Sequence, residues 1–249
     1  MPIRAVLILM CLSLACAAQT AKSGAQSTAP KKASSTAATK AKPEPTAVIH
    51  TTAGDLKCTL FANQEPKAVA NFIGLAKGTK PWKDPANGNT MHKPLYDGVI
   101  FHRTIPNFMI QGGDPSGTGS GDVGFDITDK LSPDLLFDQP GRLAMANRGG
   151  DHATSSSQFF ITEKEVPFLN PKADGTGYIL FGQCDAPSVE LVKKIARMPC
   201  MGGVPCDASN SRPLNPVKIT HIEIVGAGGK PAAKKPASSA RKKAPAPKN

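Results

Sequence analysis

The chain has 249 residues, 40% of them hydrophobic, and a formal net charge of +11, which allows one or two folded domains. The charge is uneven: residues 19–46 hold five lysines and one glutamate, and residues 227–249 hold seven lysines or arginines and no acidic residue. With Arg4 counted, the region between them has a formal charge of −1, which argues against a nucleic-acid-binding domain with a basic face.

Residues 1–18 have the features of an export signal. Arg4 forms a short basic segment, residues 5–15 are apolar, and small residues follow through position 18. The apolar run is too short for a helix across a bilayer core of about 30 Å, so we expect cleavage and no membrane span. The sequence therefore predicts a periplasmic or secreted protein, and Cys16 leaves open cleavage and lipidation as a bacterial lipoprotein.

Two segments have compositions typical of disordered chain. Residues 19–46 are rich in Ala, Lys, Ser, Thr and Pro, and residues 227–249 consist almost entirely of Gly, Lys, Pro, Ala, Ser and Arg. Neither can bury enough apolar surface to offset its ordering entropy. We expect a linker at 19–46, one compact domain at 47–226, and a disordered basic tail at 227–249. The basic segments are solubilising spacers, or they contact anionic polymers or membrane surfaces without specificity.

Four cysteines lie in the expected domain, and export makes disulfides permissible. Cys200 and Cys206 flank a loop with Gly and Pro, which predicts that a disulfide closes it. Cys58 and Cys184 are then either a second pair or two buried thiols. No metal site is predicted, because no Cys-x2-Cys motif or neighbouring histidine pair occurs.

Short apolar runs alternate with turns through the domain. Residues 47–52 and 56–61 predict a hairpin. A helix is predicted from Pro66 to a stop at Gly78. Further strands are predicted at 99–101, 108–111, 143–146, 158–161, 178–181 and 218–225, a polar loop at 79–94, and a second helix from Ser188 to Met198. Many short strands and two separated helices predict a β-barrel capped by helices.

Arg103 is a cation within an apolar stretch. Strand alternation predicts that Phe101 and Arg103 share one face, and that His102 and Thr104 share the other. Such an arginine is either a snorkelling surface cation or a fixed donor held over an apolar pocket. The stretch alone does not distinguish these readings.

Several stretches together resemble the cyclophilins. They are, in chain order, Phe101-His102-Arg103, residues 108–114 (FMIQGGD), Gly117-Thr118-Gly119, Met145-Ala146-Asn147, residues 157–161 (SQFFI), Phe168-Leu169-Asn170 and Phe181-Gly182. The resemblance covers roughly residues 48–225. It implies a mainly β fold, a closed eight-stranded antiparallel barrel capped by two α-helices. It also implies a monomeric peptidyl-prolyl cis/trans isomerase that needs no cofactor and acts on proline-containing segments of unfolded or folding proteins.

The resemblance also implies site residues. Arg103 matches the catalytic arginine, and Gln111 matches the side chain that binds substrate and holds the arginine. The implied proline pocket is Phe108, Met109, Phe160 and Leu169, and the implied groove is Gly117, Ala146, Asn147 and Gln158. We interpret His102 as structural, because isomerisation needs no general base.

Two positions depart from the pattern of many family members. Phe168 stands where many eukaryotic members have tryptophan, so a donor N–H is missing and we expect weak cyclosporin binding. Tyr178 stands where many have a pocket histidine, which changes the pocket wall. We expect both residues to contact substrate.

Three functions compete. The first is an exported isomerase that speeds protein folding, and the second is a proline-peptide-binding chaperone module with incidental catalysis. The third is a surface-attached adhesive protein that depends on the basic tails. The presence of Arg103 and Gln111 favours the enzyme, because a binding module has no need for a cation at the proline nitrogen.

Overall fold

A computed structural model describes residues 43–128, 131–147 and 154–226. The predicted signal with Cys16, most of the predicted linker and the predicted basic tail lie outside the described residues. No helix among the described residues is long and apolar enough to cross a membrane.

One curled antiparallel sheet of nine strands carries the fold. Its strands are β1 (Thr46–Thr51), β2 (Gly54–Leu60), β5 (Arg103–Ile105), β6 (Met109–Gly112), β7 (Asp126–Ile127), β8 (Arg142–Asn147), β9 (Thr154–Thr162), β10 (Leu180–Cys184) and β11 (Ile219–Val225). Two more, β3 (Trp82–Lys83) and β4 (Thr90–Met91), pair separately within the predicted polar loop. The sheet order is β11-β1-β2-β10-β8-β9-β6-β5, and β7 pairs with β9.

The predicted closed eight-stranded barrel is wrong, because the sheet stays open between β11 and β5. The segment before β5 contacts the start of β11 through an isolated bridge between Ile100 and Lys218, and the Gly98 N–H donates to the Ile219 carbonyl at 2.8 Å. The outer edge of β5 is occupied by a loop instead: the Thr104 N–H donates to the Ser211 carbonyl at 2.8 Å. The mainly β architecture with two helices is confirmed.

The first helix, α1 (Pro66–Lys77), agrees with the predicted start and stop. Pro66 takes the first helical position, where its missing N–H costs nothing. Gly78 ends the helix at a φ of 70°, and a Cβ there would lie 2.5 Å from the backbone of Lys93 and Pro94. Position 78 therefore requires glycine, because the backbone is left-handed and because a side chain would clash with Lys93 and Pro94.

The second helix, α2 (Ala186–Ala196), begins two residues before the predicted start. Asp185 caps it and accepts a hydrogen bond from the Ser188 N–H at 3.0 Å. Pro187 therefore lies within the first turn, where proline is tolerated, rather than before the helix. A one-turn 3-10 helix, Pro167–Leu169, lies between β9 and β10.

Strand β9 separates two apolar clusters, because successive side chains point to opposite faces. Phe159 packs into the main core, which the helices cover. Phe160 packs on the other face, in a second and smaller cluster with Met109 and Leu169. The main core centres on the aromatic side chains of Phe72, Tyr96, Phe101, Phe159 and Phe181, whose rings contact one another.

The predicted strand at 99–101 is wrong, since the strand begins only at Arg103. The expected alternation therefore does not reach back to Phe101. Phe101 packs against Phe159 in the main core, whereas Arg103 lies beside Met109 and Gln111. The prediction that Phe101 and Arg103 share a face is also wrong.

Two disulfides occur in the described residues, Cys200–Cys206 and Cys58–Cys184. Cys58 and Cys184 lie directly opposite each other on paired strands β2 and β10, which explains how residues 126 positions apart meet. The second pairing is one of the two states that the sequence left open.

Candidate active site

A cavity of about 100 Å³ opens on the sheet face that carries the second cluster. Its lining joins strands β5, β6, β8 and β9 with the segments before β10: Arg103, Phe108, Met109, Gln111, Ala146, Asn147, Phe160, Leu169 and Tyr178. All nine are among the residues predicted from the sequence. The cavity suits one small apolar ring, with the polar groups of Arg103, Gln111 and Asn147 at its side.

The Arg103 side chain is fixed across the β5–β6 pair. Arg103 and Gln111 are direct cross-strand partners, so both side chains lie on one face of the sheet. The Arg103 Nη1 donates to Gln111 Oε1 at 3.2 Å and lies 3.9 Å from the sulfur of Met109. Burial lowers the pKa of Arg103, and the nearby Tyr178 opposes this shift. Arginine remains charged in proteins, so the site holds a partly desolvated cation.

Polar side chains continue from Arg103 along the sheet. Gln111 Nε2 donates to Gln158 Oε1 at 3.1 Å, and Gln158 Nε2 donates to the Gly119 carbonyl at 3.0 Å. Gln158 itself is buried. This chain of hydrogen bonds fixes both amide groups and connects the cavity to the loop 114–121.

The aromatic rings of Phe160 and Tyr178 are part of the cavity lining. Phe160 lies flat against the buried Phe137, with centroids 5.9 Å apart and ring planes 12° apart. The ring of Tyr178 stands perpendicular to Phe160 at 5.4 Å. The sequence does not predict Phe137 as a residue near the site, because it belongs to no predicted strand. The only available signal was an aromatic residue at the end of the run Leu135-Leu136-Phe137.

Three predicted contacts lie outside the cavity wall. Gln158 contacts Gln111 and does not line the cavity, and Gly117 belongs to the adjoining loop. Phe168 is 65% exposed, and its ring lies 5.6 Å from that of Phe108, so it extends the apolar surface beyond the cavity. The strand predicted at 178–181 begins only at Leu180, so Tyr178 lies in the segment before β10.

The loop 114–121 is organised around one buried carboxylate. Asp114 accepts hydrogen bonds from the N–H groups of Ser116, Gly119 and Gly121 at 2.8, 2.6 and 3.0 Å. Burial raises the pKa of Asp114, but the hydrogen bonds from Ser116, Gly121 and Gly119 outweigh it and lower the pKa overall. A Cβ at position 121 would lie 2.0 Å from the carboxylate, so the loop closes this tightly only around glycine.

His102 lies beneath the same loop and is almost fully buried. Neither of its ring nitrogens has a hydrogen-bond partner among the described residues. Burial lowers the pKa of His102; Asp114 opposes this shift, and the cations Arg212 and Arg103 reinforce it. The imidazole is therefore neutral at neutral pH.

We expect His102 to make folding stability depend on pH. Below its ordinary pKa of about 6.5 the unfolded chain binds a proton that the folded chain excludes, so stability falls as the pH decreases. The slope contributed by one proton is at most about 1.4 kcal/mol per pH unit. Urea denaturation of wild type and His102→Gln between about pH 7 and pH 5 measures it. The variant should show the shallower dependence, and parallel curves would contradict this prediction.

Comparison with known proteins gives a consistent result. A family model described as "Cyclophilin type peptidyl-prolyl cis-trans isomerase/CLD" matches residues 46–224. Peptidyl-prolyl cis-trans isomerase A of Mycobacterium tuberculosis is 45% identical over 180 residues, which cover 72% of this chain and 91% of that protein. Peptidyl-prolyl cis-trans isomerase B of Streptomyces anulatus is 38% identical over 178 residues, 72% of this chain and 95% of that protein. A crystal structure of a Cryptosporidium parvum cyclophilin type peptidyl-prolyl cis-trans isomerase, solved with the dipeptide Ala-Pro, matches with a TM-score of 0.55 and 34% identity, covering 72% of this chain and 98% of that one.

Proposed function

Because the chain belongs to the cyclophilin family of peptidyl-prolyl cis/trans isomerases, we propose that it is an exported folding enzyme in which Arg103 is the catalytic group. The reaction is the rotation of X–Pro peptide bonds between cis and trans. The observation that carries the proposal is a partly desolvated guanidinium, held by Gln111 beside an apolar cavity.

The chemistry explains why one cation suffices. Rotation about a peptide bond has a barrier of about 18–20 kcal/mol, because the twisted bond loses its amide resonance. No covalent bond breaks and no proton is transferred. An enzyme accelerates the rotation if it binds the twisted bond more tightly than either planar form.

Arg103 is suited to bind the twisted form. As resonance is lost, the proline nitrogen becomes pyramidal and gains a lone pair that can accept a hydrogen bond. A guanidinium fixed beside this atom stabilises the transition state, more strongly in a water-poor cavity than in bulk water. Gln111 accepts a hydrogen bond from the guanidinium Nη1 and so limits the motion of the cation. A lysine would carry the charge without the rigid planar fork.

The apolar walls hold the proline ring while the acyl side rotates. Phe160, Met109 and Leu169 are 4%, 1% and 6% exposed, so they form a preorganised surface rather than a mobile one. We assign the adjoining strand end, Ala146-Asn147, to backbone hydrogen bonds with an extended substrate. The buried His102 is not part of the cavity lining, so it does not act on the substrate as a general base.

Phe168 sets the expected response to cyclosporin. It lies at the cavity edge, 65% exposed, and offers apolar contact through Phe108 but no N–H donor. We therefore assign weak cyclosporin binding to this enzyme, with catalysis unaffected by the missing donor.

Export is supported by the N-terminal pattern of residues 1–18 and by cysteine pairing. Disulfides persist in oxidising compartments and are rare in the cytosol. An isomerase in such a compartment would speed the folding of exported proteins, since uncatalysed proline isomerisation takes about 10–100 s and limits folding.

The export proposal predicts a shortened and oxidised mature protein. N-terminal sequencing of protein from the cell envelope or medium should begin near position 18, and mass spectrometry without reductant should find Cys58 linked to Cys184 and Cys200 linked to Cys206. A chain that keeps Met1 and has free thiols at these four cysteines would contradict it. A lipid on Cys16 would support export in the lipoprotein form.

A further inference from the structure

A disulfide-closed loop, residues 199–214, lies against the outer edge of β5. Cys200 and Cys206 are 0% and 5% exposed, and Cys200 forms a β-bridge with Pro213 across the loop. The Ser211 carbonyl accepts the hydrogen bond from Thr104, the residue after Arg103. The backbone at 211–213 is therefore fixed directly beside the catalytic strand.

Arg212 projects from this fixed backbone to the loop 114–121. Its Nη1 donates to the Gly117 carbonyl at 2.8 Å. The side chain is exposed, and no carboxylate among the described residues forms an ion pair with it. A guanidinium has five N–H donors, so most of them remain free to bind a ligand. The result is an unpaired cation held in one place by a single backbone contact.

The hydrogen-bonded chain described above places this cation at the end of the substrate groove. Gln111 lines the proline cavity, Gln158 follows it, and Gln158 bonds to Gly119, two residues from the Arg212 anchor at Gly117. An extended peptide advances about 3.3 Å per residue. A substrate side chain a few residues from the proline therefore comes within reach of Arg212.

The local charge balance favours an anion at this position. Arg212 and Arg103 both lower the pKa of His102, so both act at short range on this part of the molecule. The loop that Arg212 contacts contains the carboxylate of Asp114, but its oxygens already accept hydrogen bonds from Ser116, Gly119 and Gly121 inside the loop. His102 is neutral and adds no charge. An incoming acidic side chain would therefore find an uncompensated donor.

We propose that Arg212 is a specificity-determining residue that favours substrates with an acidic side chain a few residues from the proline. This inference rests on the proposed function, because it takes the cavity beside Arg103 as the proline site. It adds a preference that neither the isomerase reaction nor the apolar pocket requires. Arg212 contributes to substrate selection and not to the rotation itself.

The test uses matched peptides in an isomerase assay on the full chain. A single glutamate or a single lysine is placed in turn at each position flanking proline, and the ratio of kcat/KM for the two peptides is measured. At low salt the wild type should prefer glutamate by about three- to tenfold at one or two adjacent positions. In Arg212→Gln the ratio should fall to near one. In Lys194→Gln, which removes the same charge from an exposed site on α2, the wild-type ratio should persist.

Two further measurements keep the proposal falsifiable if Arg212→Gln does not fold. Arg212→Lys, which keeps the charge without the fork, should retain part of the preference. In wild type the ratio should approach one in about 0.5 M salt, because exposed charges are then screened. A ratio near one at every position in low salt, or a preference unchanged in Arg212→Gln or in high salt, would overturn the proposal.

The same assay separates this inference from the proposed function. If isomerisation is fast and depends on Arg103 but shows no charge preference, only the role of Arg212 is wrong. If no peptide is isomerised, or if loss of Arg103 has no effect, the proposed function itself fails.

Discussion

Arg103→Ala should lower kcat/KM for X–Pro isomerisation at least tenfold, which corresponds to about 1.4 kcal/mol of barrier. The change removes the donor that binds the proline nitrogen only when the peptide bond is twisted. The loss should therefore appear mainly in kcat, with smaller effects on KM. A protease-coupled assay with a proline peptide measures both.

Two observations predict that this variant folds. Arg103 is only half-buried, and its side-chain contacts are with Gln111 and Met109 on the pocket face, outside the main core. Arg103→Lys is the matched variant, because it keeps the charge and loses the planar fork. The kcat/KM of Arg103→Lys should lie between those of wild type and Arg103→Ala, or close to that of Arg103→Ala. Wild-type rates in Arg103→Ala, with wild-type circular dichroism, would show that the catalytic assignment is wrong.

Asp114→Ala should lower the free energy of unfolding by about 3 kcal/mol or more, because several charge-assisted hydrogen bonds lose their acceptor at once. The loop would then lose the acceptor shared by the N–H groups of Ser116, Gly119 and Gly121. Urea denaturation should show a lower midpoint. Glu190→Ala is the control, since its ion pair with Lys193 is exposed and screened by solvent, so its loss should leave the urea midpoint almost unchanged.

The effect of Asp114 should also depend on pH, with a defined sign. Its pKa is lowered in the folded protein, so the stability it supplies is present above its ordinary value of about 3.9 and is lost as the pH falls through the lowered pKa. The difference in stability between wild type and Asp114→Ala should therefore shrink in acid. A difference independent of pH, or one below about 1 kcal/mol at neutral pH, would contradict this account.

The helices and most strands could be predicted from the sequence because local signals determine them. Pro66 and Gly78 bound α1, and hydrophobic periodicity indicates which face is buried. The nine cavity residues followed from the family resemblance, since individually most of them look like ordinary core. The resemblance resolved what strand alternation around Arg103 had left open.

The remaining features depend on contacts between distant segments, which no local pattern encodes. The sheet stays open because Ser211, more than 100 residues away, occupies the edge of β5. Strand alternation wrongly assigns Phe101 and Arg103 to one face, because residue types alone do not show that β5 begins only at Arg103. Cys58 and Cys184 meet through strand register, and Phe137 reaches Phe160 from an irregular segment.

The most direct test of the central claim is NMR exchange spectroscopy on a short Ala-Pro peptide at equilibrium, with catalytic amounts of the full chain. Uncatalysed exchange takes about 10–100 s, so cis and trans signals of the free peptide are separate. The wild-type enzyme should bring them into rapid exchange without changing their ratio, and Arg103→Ala should bind the peptide but restore slow exchange. Binding to the cavity by the wild type without faster exchange would contradict the account and identify a proline-binding module.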